Sequence, residues 1–132
     1  MNNFDWREFL YSAKEILKRV EKLQQPGMSD EALCRTGISR AYYAVFNQAA
    51  PLVDSDSLNG GTHERVIIAL NSSTNQIIRQ IGKDLDKLRR MRIYADYHDK
   101  RYPQRGFSGN AIAELQLAIN YAETINKKIN LL

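Results

Sequence analysis

The sequence predicts an all-α protein built as an up-and-down helical bundle of about five helices. Apolar residues recur at helical spacing in several separate segments, and no segment alternates apolar and polar residues as a half-buried strand does. The chain has 132 residues, of which 43% are hydrophobic and 26% are charged. Because this size and composition are typical of one globular domain, we assign residues 1–132 to a single domain.

The first two helices are marked by their apolar spacing and by the residues that end them. The first helix is predicted over residues 4–24, and a Pro-Gly pair directly after it ends it. Ser29 or Asp30 can cap a second helix that runs to about residue 50. Pro51 follows and cannot easily continue that helix.

Two further helices follow a polar loop at residues 51–61. Thr62 can cap a third helix, which ends near the polar residues 71–74. A fourth helix ends near residue 98, and the sequence leaves its start open between residues 74 and 83.

The last helix carries the cleanest amphipathic pattern in the chain. It follows a predicted loop at residues 99–107, and Ser108 can cap it. A helix with one apolar face must bury that face against other helices, which favours a bundle. The predicted stripe consists of Ala111, Leu115, Ala118, Ile119, Ala122, Ile125 and Ile129.

The sequence indicates a cytoplasmic protein without a membrane span, a metal ion or a cofactor. No apolar run approaches the roughly 18 residues that cross a bilayer, and the first six residues lack the pattern of a secretory signal. Cys34 is the only cysteine, so it can form neither an internal disulfide nor a cysteine-rich zinc site. His63 and His98 lack the spacing of a metal motif.

Basic residues are concentrated in one segment of the chain. The formal net charge is +4, and residues 79–105 contain nine Lys or Arg residues against four acidic residues. A local basic excess suits a polyanion such as RNA. A solvated helix face without a ligand would show the same composition.

The predicted fourth helix places a charged residue on its apolar face. Leu85, Leu88 and Ala95 define that face, and Arg92 projects between the two leucines. A charge in such a position must be paired, reach the solvent, or line a cleft or an interface. An ion pair between Arg92 and Asp96, four residues later, is the structural interpretation.

The two histidines and a group of aromatic residues are further candidates for a functional site. An imidazole at His98 and a guanidinium at Arg92, beside one cleft, could cleave RNA without a metal ion. His63 is expected to be a surface residue in the first turn of its helix.

Tyr42, Tyr43 and Phe46 lie among small residues, and we expect at least two of them to be largely buried. A base-stacking platform is the alternative for these aromatic residues.

Three segments together resemble the HEPN family. The chain is most similar to the branch with a Ser-Arg-Ala-Tyr-Tyr helix and a later Arg-x-x-Ala-Asp-Tyr helix, and the resemblance extends from about residue 4 to about residue 128. The segments are residues 39–46 (Ser-Arg-Ala-Tyr-Tyr-Ala-Val-Phe), 61–66 (Gly-Thr-His-Glu-Arg-Val) and 88–97 (Leu-Arg-Arg-Met-Arg-Ile-Tyr-Ala-Asp-Tyr).

The resemblance implies a helical bundle that forms a homodimer along its motif helices. Many HEPN proteins are metal-independent endoribonucleases in which an Arg and a His from each subunit meet in an interfacial cleft, and cleavage leaves a 2′,3′-cyclic phosphate. Arg92 and His98 match the family pattern with five residues between them. Family members often act as toxins or in antiphage defence, and a minimal nucleotidyltransferase is a common antitoxin.

The resemblance therefore implies a set of site residues. Arg92 and His98 are the expected catalytic pair, with Asp96, Tyr97 and His63 as possible supporting residues. The alternative is a non-catalytic HEPN dimer that binds a nucleotidyltransferase or another protein. The expected RNA-binding residues are Arg89, Arg90, Lys100, Arg101 and Arg105. Ile93 follows Arg92, where active family members often carry a polar residue, and this departure favours the alternative.

Overall fold

The computed structural model describes residues 4–22, 30–97 and 111–132 of the chain. Within these ranges the regular structure is entirely helical, which confirms the predicted all-α bundle. A short 3-10 turn, Ala50–Leu52, follows the second helix. The α-helices are α1 (Arg7–Lys22), α2 (Asp30–Ala49), α3 (Thr62–Asn71), α4 (Gln76–Tyr97) and α5 (Ala111–Ile129).

Helix α2 forms the centre of the bundle, where it packs against α1, α4 and α5. Because neighbours cover it on several sides, its buried residues are distributed around the helix and do not form one stripe. Close approach is possible because Gly37 has no side chain: a Cβ there would lie 2.7 Å from Cδ1 of Leu115 on α5. The buried residues of α2 are Cys34, Ile38, Ala41, Tyr42, Ala44, Val45, Phe46 and Ala49.

The amphipathic prediction for the last helix is confirmed over most of its length. Five members of the predicted stripe are buried, and the two end members, Ala111 and Ile129, are partly buried. The buried members are Leu115, Ala118, Ile119, Ala122 and Ile125. The predicted cap, Ser108, lies outside the described residues.

One helix start differs from the sequence prediction, and the structure also gives the start of a second helix that the sequence left open. Thr62 is the first residue of α3, and Gly61, with φ −70° and ψ 165°, occupies the cap position without a side-chain hydrogen bond. The start of α4, which the sequence left open, is set by Asn75. Its Oδ1 accepts hydrogen bonds from the backbone N–H groups of Ile77 and Ile78, at 2.8 and 3.2 Å.

Helix α3 packs closely on α4 at a glycine. A Cβ on Gly82 would lie 2.9 Å from Cβ of Leu70 and 2.6 Å from Oδ1 of Asn71. This close approach fixes α3, and with it the start of that helix, against the helix that carries Arg92. No helix among the described residues is both long enough and apolar enough to cross a membrane.

Candidate functional site

Side chains from α2, α3 and α4 meet in one group, which we call the Arg92 cluster. Each of the three segments that carry the family resemblance contributes to it, although they are far apart in the sequence. The cluster consists of Ser39, Tyr42, Tyr43 and Phe46 on α2, His63 on α3, and Arg89, Arg92 and Asp96 on α4.

Arg92 is buried at the centre of this cluster, with 5% of its surface exposed. Its guanidinium carbon lies 5.1 Å from the ring centroid of Tyr42 and 5.4 Å from that of Tyr43. The faces of both rings attract the cation. Its Nη1 lies 3.5 Å from Oδ2 of Asp96, so the ion pair predicted from the four-residue spacing is confirmed.

Asp96 joins the C-terminal part of α4 to α2. The hydroxyl of Ser39 donates a hydrogen bond to its Oδ2 at 3.4 Å. Close by, Nη1 of Arg35 donates to the carbonyl oxygens of Tyr94 and Ala95, at 2.8 and 3.1 Å. These contacts satisfy backbone carbonyl groups near the end of α4 and hold that end against the central helix.

His63 is partly buried, whereas the sequence predicted a surface residue. Its Nδ1 lies 2.7 Å from the hydroxyl oxygen of Tyr42. Its ring stacks on Phe46 with the two centroids 4.2 Å apart and the planes inclined by 27°. Because Gly61 occupies the cap position, His63 is the second residue of α3, and there it faces the aromatic residues of α2.

The aromatic residues of α2 are mainly structural, as the sequence predicted. Tyr42 is fully buried and Phe46 is 7% exposed, whereas Tyr43 is partly buried. In the described structure, the face of the Tyr42 ring is already in contact with Arg92. A base-stacking role for Tyr42 and Phe46 is therefore inconsistent with their burial.

Burial and nearby cations set the protonation states of the two hydrogen-bonded groups. Burial raises the pKa of the Tyr42 hydroxyl well above its ordinary value, and the charges of Arg92 and Arg89 offset only part of that rise. Burial also lowers the pKa of His63, and the same two arginines lower it further. Tyr42 is therefore protonated and His63 is predominantly neutral at pH 7.

The two residues of α4 that were predicted to bind RNA, Arg90 and Arg89, lie in different surroundings. Arg90 points away from the cluster and forms an ion pair with Asp86 at 3.0 Å, with 47% of its side chain exposed. Arg89, a member of the cluster, is partly buried, and its Nε has no hydrogen-bond partner among the described residues.

Several other predicted site residues lie outside the described part of the chain. His98, Lys100, Arg101 and Arg105 belong to residues 98–110, and their roles stay predictions. Tyr97 is the last residue of α4, and its side chain is outside the description. Among the described residues, no group of three or more potential ligands could hold a metal ion.

Sequence reasoning missed the part that Tyr42 plays as the polar centre of the cluster. Its hydroxyl contacts His63, which is 21 residues away in the sequence, so no local spacing rule predicts the pair. One signal was present: a buried tyrosine needs a hydrogen-bond partner, and His63 follows the next loop.

No protein-family model, curated protein or solved structure matches the chain in the comparisons made. The resemblance to HEPN proteins therefore depends on the three sequence segments alone.

Proposed function

We propose that the protein is a HEPN-type, metal-independent endoribonuclease that acts in the cytoplasm as a toxin or antiphage-defence effector. The observation that carries this proposal is the convergence of all three resembling segments on Arg92. Tyr42 and His63, which come from two of these segments, are hydrogen-bonded to each other, and Tyr42 stacks on Arg92 from the third. Segments with unrelated structural roles would have no reason to meet around one buried cation.

The proposed reaction is attack of a ribose 2′-oxygen on the adjacent phosphorus. The bond from phosphorus to the 5′-oxygen breaks, which gives a 2′,3′-cyclic phosphate and a 5′-hydroxyl group. His98, the residue directly after α4, would accept the 2′-OH proton or supply one to the leaving oxygen. Arg92 is 5% exposed, so it would act on the phosphoryl charge mainly through its positive potential.

The proposal includes a two-fold homodimer with α4 at or near the interface. A two-fold axis would bring the two basic segments together in one shared cleft. Light scattering at tens of micromolar protein should give the mass of a dimer, and a monomer at that concentration would contradict this part of the proposal.

The decisive experiment is incubation of the purified protein with total RNA in EDTA. Wild-type protein should cleave the RNA, and His98→Ala should lower the rate by roughly 10²–10⁴. His63→Gln is the matched control, because it changes the only other histidine, and its effect should be smaller. Full activity of His98→Ala would show that His98 is not catalytic.

The burial of Arg92 favours a second candidate function: a non-catalytic HEPN dimer that binds a minimal nucleotidyltransferase or another protein. Asp96, Tyr42 and Tyr43 already surround its guanidinium, as they would surround a purely structural arginine. A correctly folded wild-type protein that cleaves none of several RNA pools would favour this candidate. Arrest of cell growth when the protein is expressed would favour the nuclease.

A further inference from the structure

We propose that a groove between α1 and α2 binds a short stretch of single-stranded RNA, with one base against Tyr11 and backbone phosphates at Arg19 and Arg40. This inference rests on the proposed function, since it takes the ligand to be RNA. It places binding on a surface that shares no residue with the Arg92 cluster or with the basic segment at residues 79–105.

The groove is formed where two neighbouring helices meet at the surface, and its volume is about 340 Å³. This volume lies within the range of pockets that hold small ligands. Ile16 and Leu33 are partly buried and pack against the core, whereas Tyr11, Arg19 and Arg40 are exposed. The lining residues are Tyr11, Ser12, Glu15, Ile16 and Arg19 on α1, and Leu33 and Arg40 on α2.

Tyr11 offers the groove an open aromatic ring, with 66% of its surface exposed. The ring has no packing role in the fold, since it belongs neither to the buried core nor to the partly buried residues that pack against the core. A flat, accessible ring suits a nucleobase, because every base has a face that can stack on it. Tyr42 and Phe46, in contrast, are buried and cannot stack on a base.

The groove carries an excess of positive charge. Its acidic lining residue, Glu15, forms an ion pair with Lys18 at 3.4 Å. Arg19 and Arg40 have no carboxylate partner in the part of the chain that the structure describes. Both guanidinium groups are therefore available to an anion, and their planar forks match the oxygen atoms of a phosphate.

The two arginines lie at different points along the groove. The guanidinium carbon of Arg40 lies 4.9 Å from the ring centroid of Phe9 on α1. Arg19 follows Phe9 by ten residues on the same helix, which corresponds to a rise of about 15 Å. A single compact anion would engage one of these cations, whereas a phosphodiester chain offers a negative charge to each. A strand also carries bases for Tyr11, which a peptide of acidic residues does not.

The groove lies next to the Arg92 cluster. Ser39, which directly precedes Arg40, donates a hydrogen bond to Oδ2 of Asp96 at 3.4 Å. Consecutive Cα atoms are about 3.8 Å apart, so a strand held at Arg40 lies beside the helix that packs against α4. The groove would therefore extend the proposed nuclease site across α2.

A short 2′-O-methyl oligoribonucleotide is the probe for the base contact, because it has no free 2′-OH and cannot be cleaved. Tyr11→Ala should weaken its affinity by about 5-fold to about 150-fold, which is the range for the loss of one base–aromatic stack. Tyr11→Phe is the matched control: it keeps the ring and should bind within about twofold of the wild-type protein. Equal affinities of the two variants would overturn the base contact.

The salt dependence of the same binding tests the phosphate contacts. Arg19→Gln and Arg40→Gln should each make the log–log slope of affinity against salt shallower by about 0.7, the value for one phosphate contact on a single strand. Lys127→Gln removes an exposed positive charge that does not line the groove, and it should leave the slope unchanged. An equal fall of the slope in all three variants would overturn the site, because it would show only a general attraction to a basic protein.

A polyglutamate peptide distinguishes RNA from an acidic protein partner. It should bind more weakly than the oligonucleotide, and its affinity should be the same for Tyr11→Ala and Tyr11→Phe. A peptide that binds more tightly than the oligonucleotide, and loses this affinity in Arg40→Gln, would overturn the assignment to RNA. All substituted side chains are exposed, so thermal denaturation should show that the variants are folded.

These experiments separate the groove from the nuclease. Selective loss of binding in Tyr11→Ala, in a protein whose wild-type form cleaves no RNA, would support the groove and contradict the nuclease. RNA cleavage by the wild-type protein, with unchanged oligonucleotide binding in the groove variants, would contradict the groove and leave the nuclease standing.

Discussion

The hydroxyl oxygen of Tyr42 lies 2.7 Å from Nδ1 of His63, so a fully buried side chain of the central helix is bonded to the first turn of α3. The guanidinium carbon of Arg92 on α4 lies 5.1 Å from the centroid of the Tyr42 ring. The Tyr42 side chain thus contacts two other helices, and removal of its hydroxyl would leave the imidazole of His63 without this hydrogen-bond partner.

Tyr42→Phe removes that oxygen and keeps the ring. We expect it to lower the free energy of unfolding by about 1–3 kcal/mol, because the imidazole of the partly buried His63 loses this hydrogen-bond partner. Urea denaturation measures the change. Tyr11→Phe is the matched control, since Tyr11 is 66% exposed, and it should change stability by no more than about 0.5 kcal/mol. If both variants are equally stable, the hydroxyl contributes nothing.

The stability of the protein should depend on pH through His63. Burial, followed by the charges of Arg92 and Arg89, lowers the pKa of His63 below its ordinary value of 6.5. The unfolded chain therefore takes up this proton at a higher pH than the folded protein does. The stability associated with the neutral ring is fully present above pH 6.5 and is lost as the pH falls from there through the folded-state pKa.

His63→Gln isolates this effect from the other titrating groups. The stability of the wild-type protein should fall more steeply than that of the variant between about pH 7.5 and about pH 5, in denaturation experiments at each pH. His98 and the carboxylates are common to both proteins, so they cancel in the difference. A difference that does not change with pH would contradict the lowered pKa.

Arg92→Lys should destabilise the protein even though it conserves the charge. The planar guanidinium lies against the rings of Tyr42 and Tyr43, and an ammonium cannot form the same stacked contacts. We expect a loss of about 1–2 kcal/mol, measured by thermal or urea denaturation. In the control variant Arg90→Lys, a surface ion pair is altered instead, and the change should stay below about 0.5 kcal/mol. Equal effects of the two substitutions would argue against the stacked geometry.

Gly82→Ala should also destabilise the protein, although alanine favours a helix by about 1 kcal/mol over glycine. The new Cβ would lie 2.9 Å from Cβ of Leu70 and 3.1 Å from the backbone nitrogen of Asn71, so α3 would have to move away from α4. Overpacking of this kind costs roughly 1–3 kcal/mol before the helix preference offsets part of it. The substitution Gln80→Ala, at an exposed position of the same helix, is the control. A stabilised Gly82→Ala variant would show that the two helices separate easily.

The predictable features of this protein are those that depend on neighbours within one helix. Leu85, Leu88 and Ala95 are buried as their spacing indicated, and Arg92 pairs with Asp96 because four residues bring side chains together on any helix. The contact between Tyr42 and His63 could not be predicted in this way. It depends on the path of the loop between their helices and on how closely α3 approaches α4 at Gly82, and the sequence pattern determines neither.

Helix α3 packs mainly against α4, whereas α2 packs against three other helices. Helix α3 can therefore detach from the bundle at a smaller free-energy cost than α2. Such an opening would leave the contacts among α1, α2 and α5 intact. Amide protons of α3 should accordingly exchange with deuterated solvent sooner than those of α2. Each opening would move His63 away from Tyr42 and expose the face of Phe46 that the imidazole covers. The Arg92 cluster would therefore lose His63 whenever α3 opens and regain it when this short helix closes.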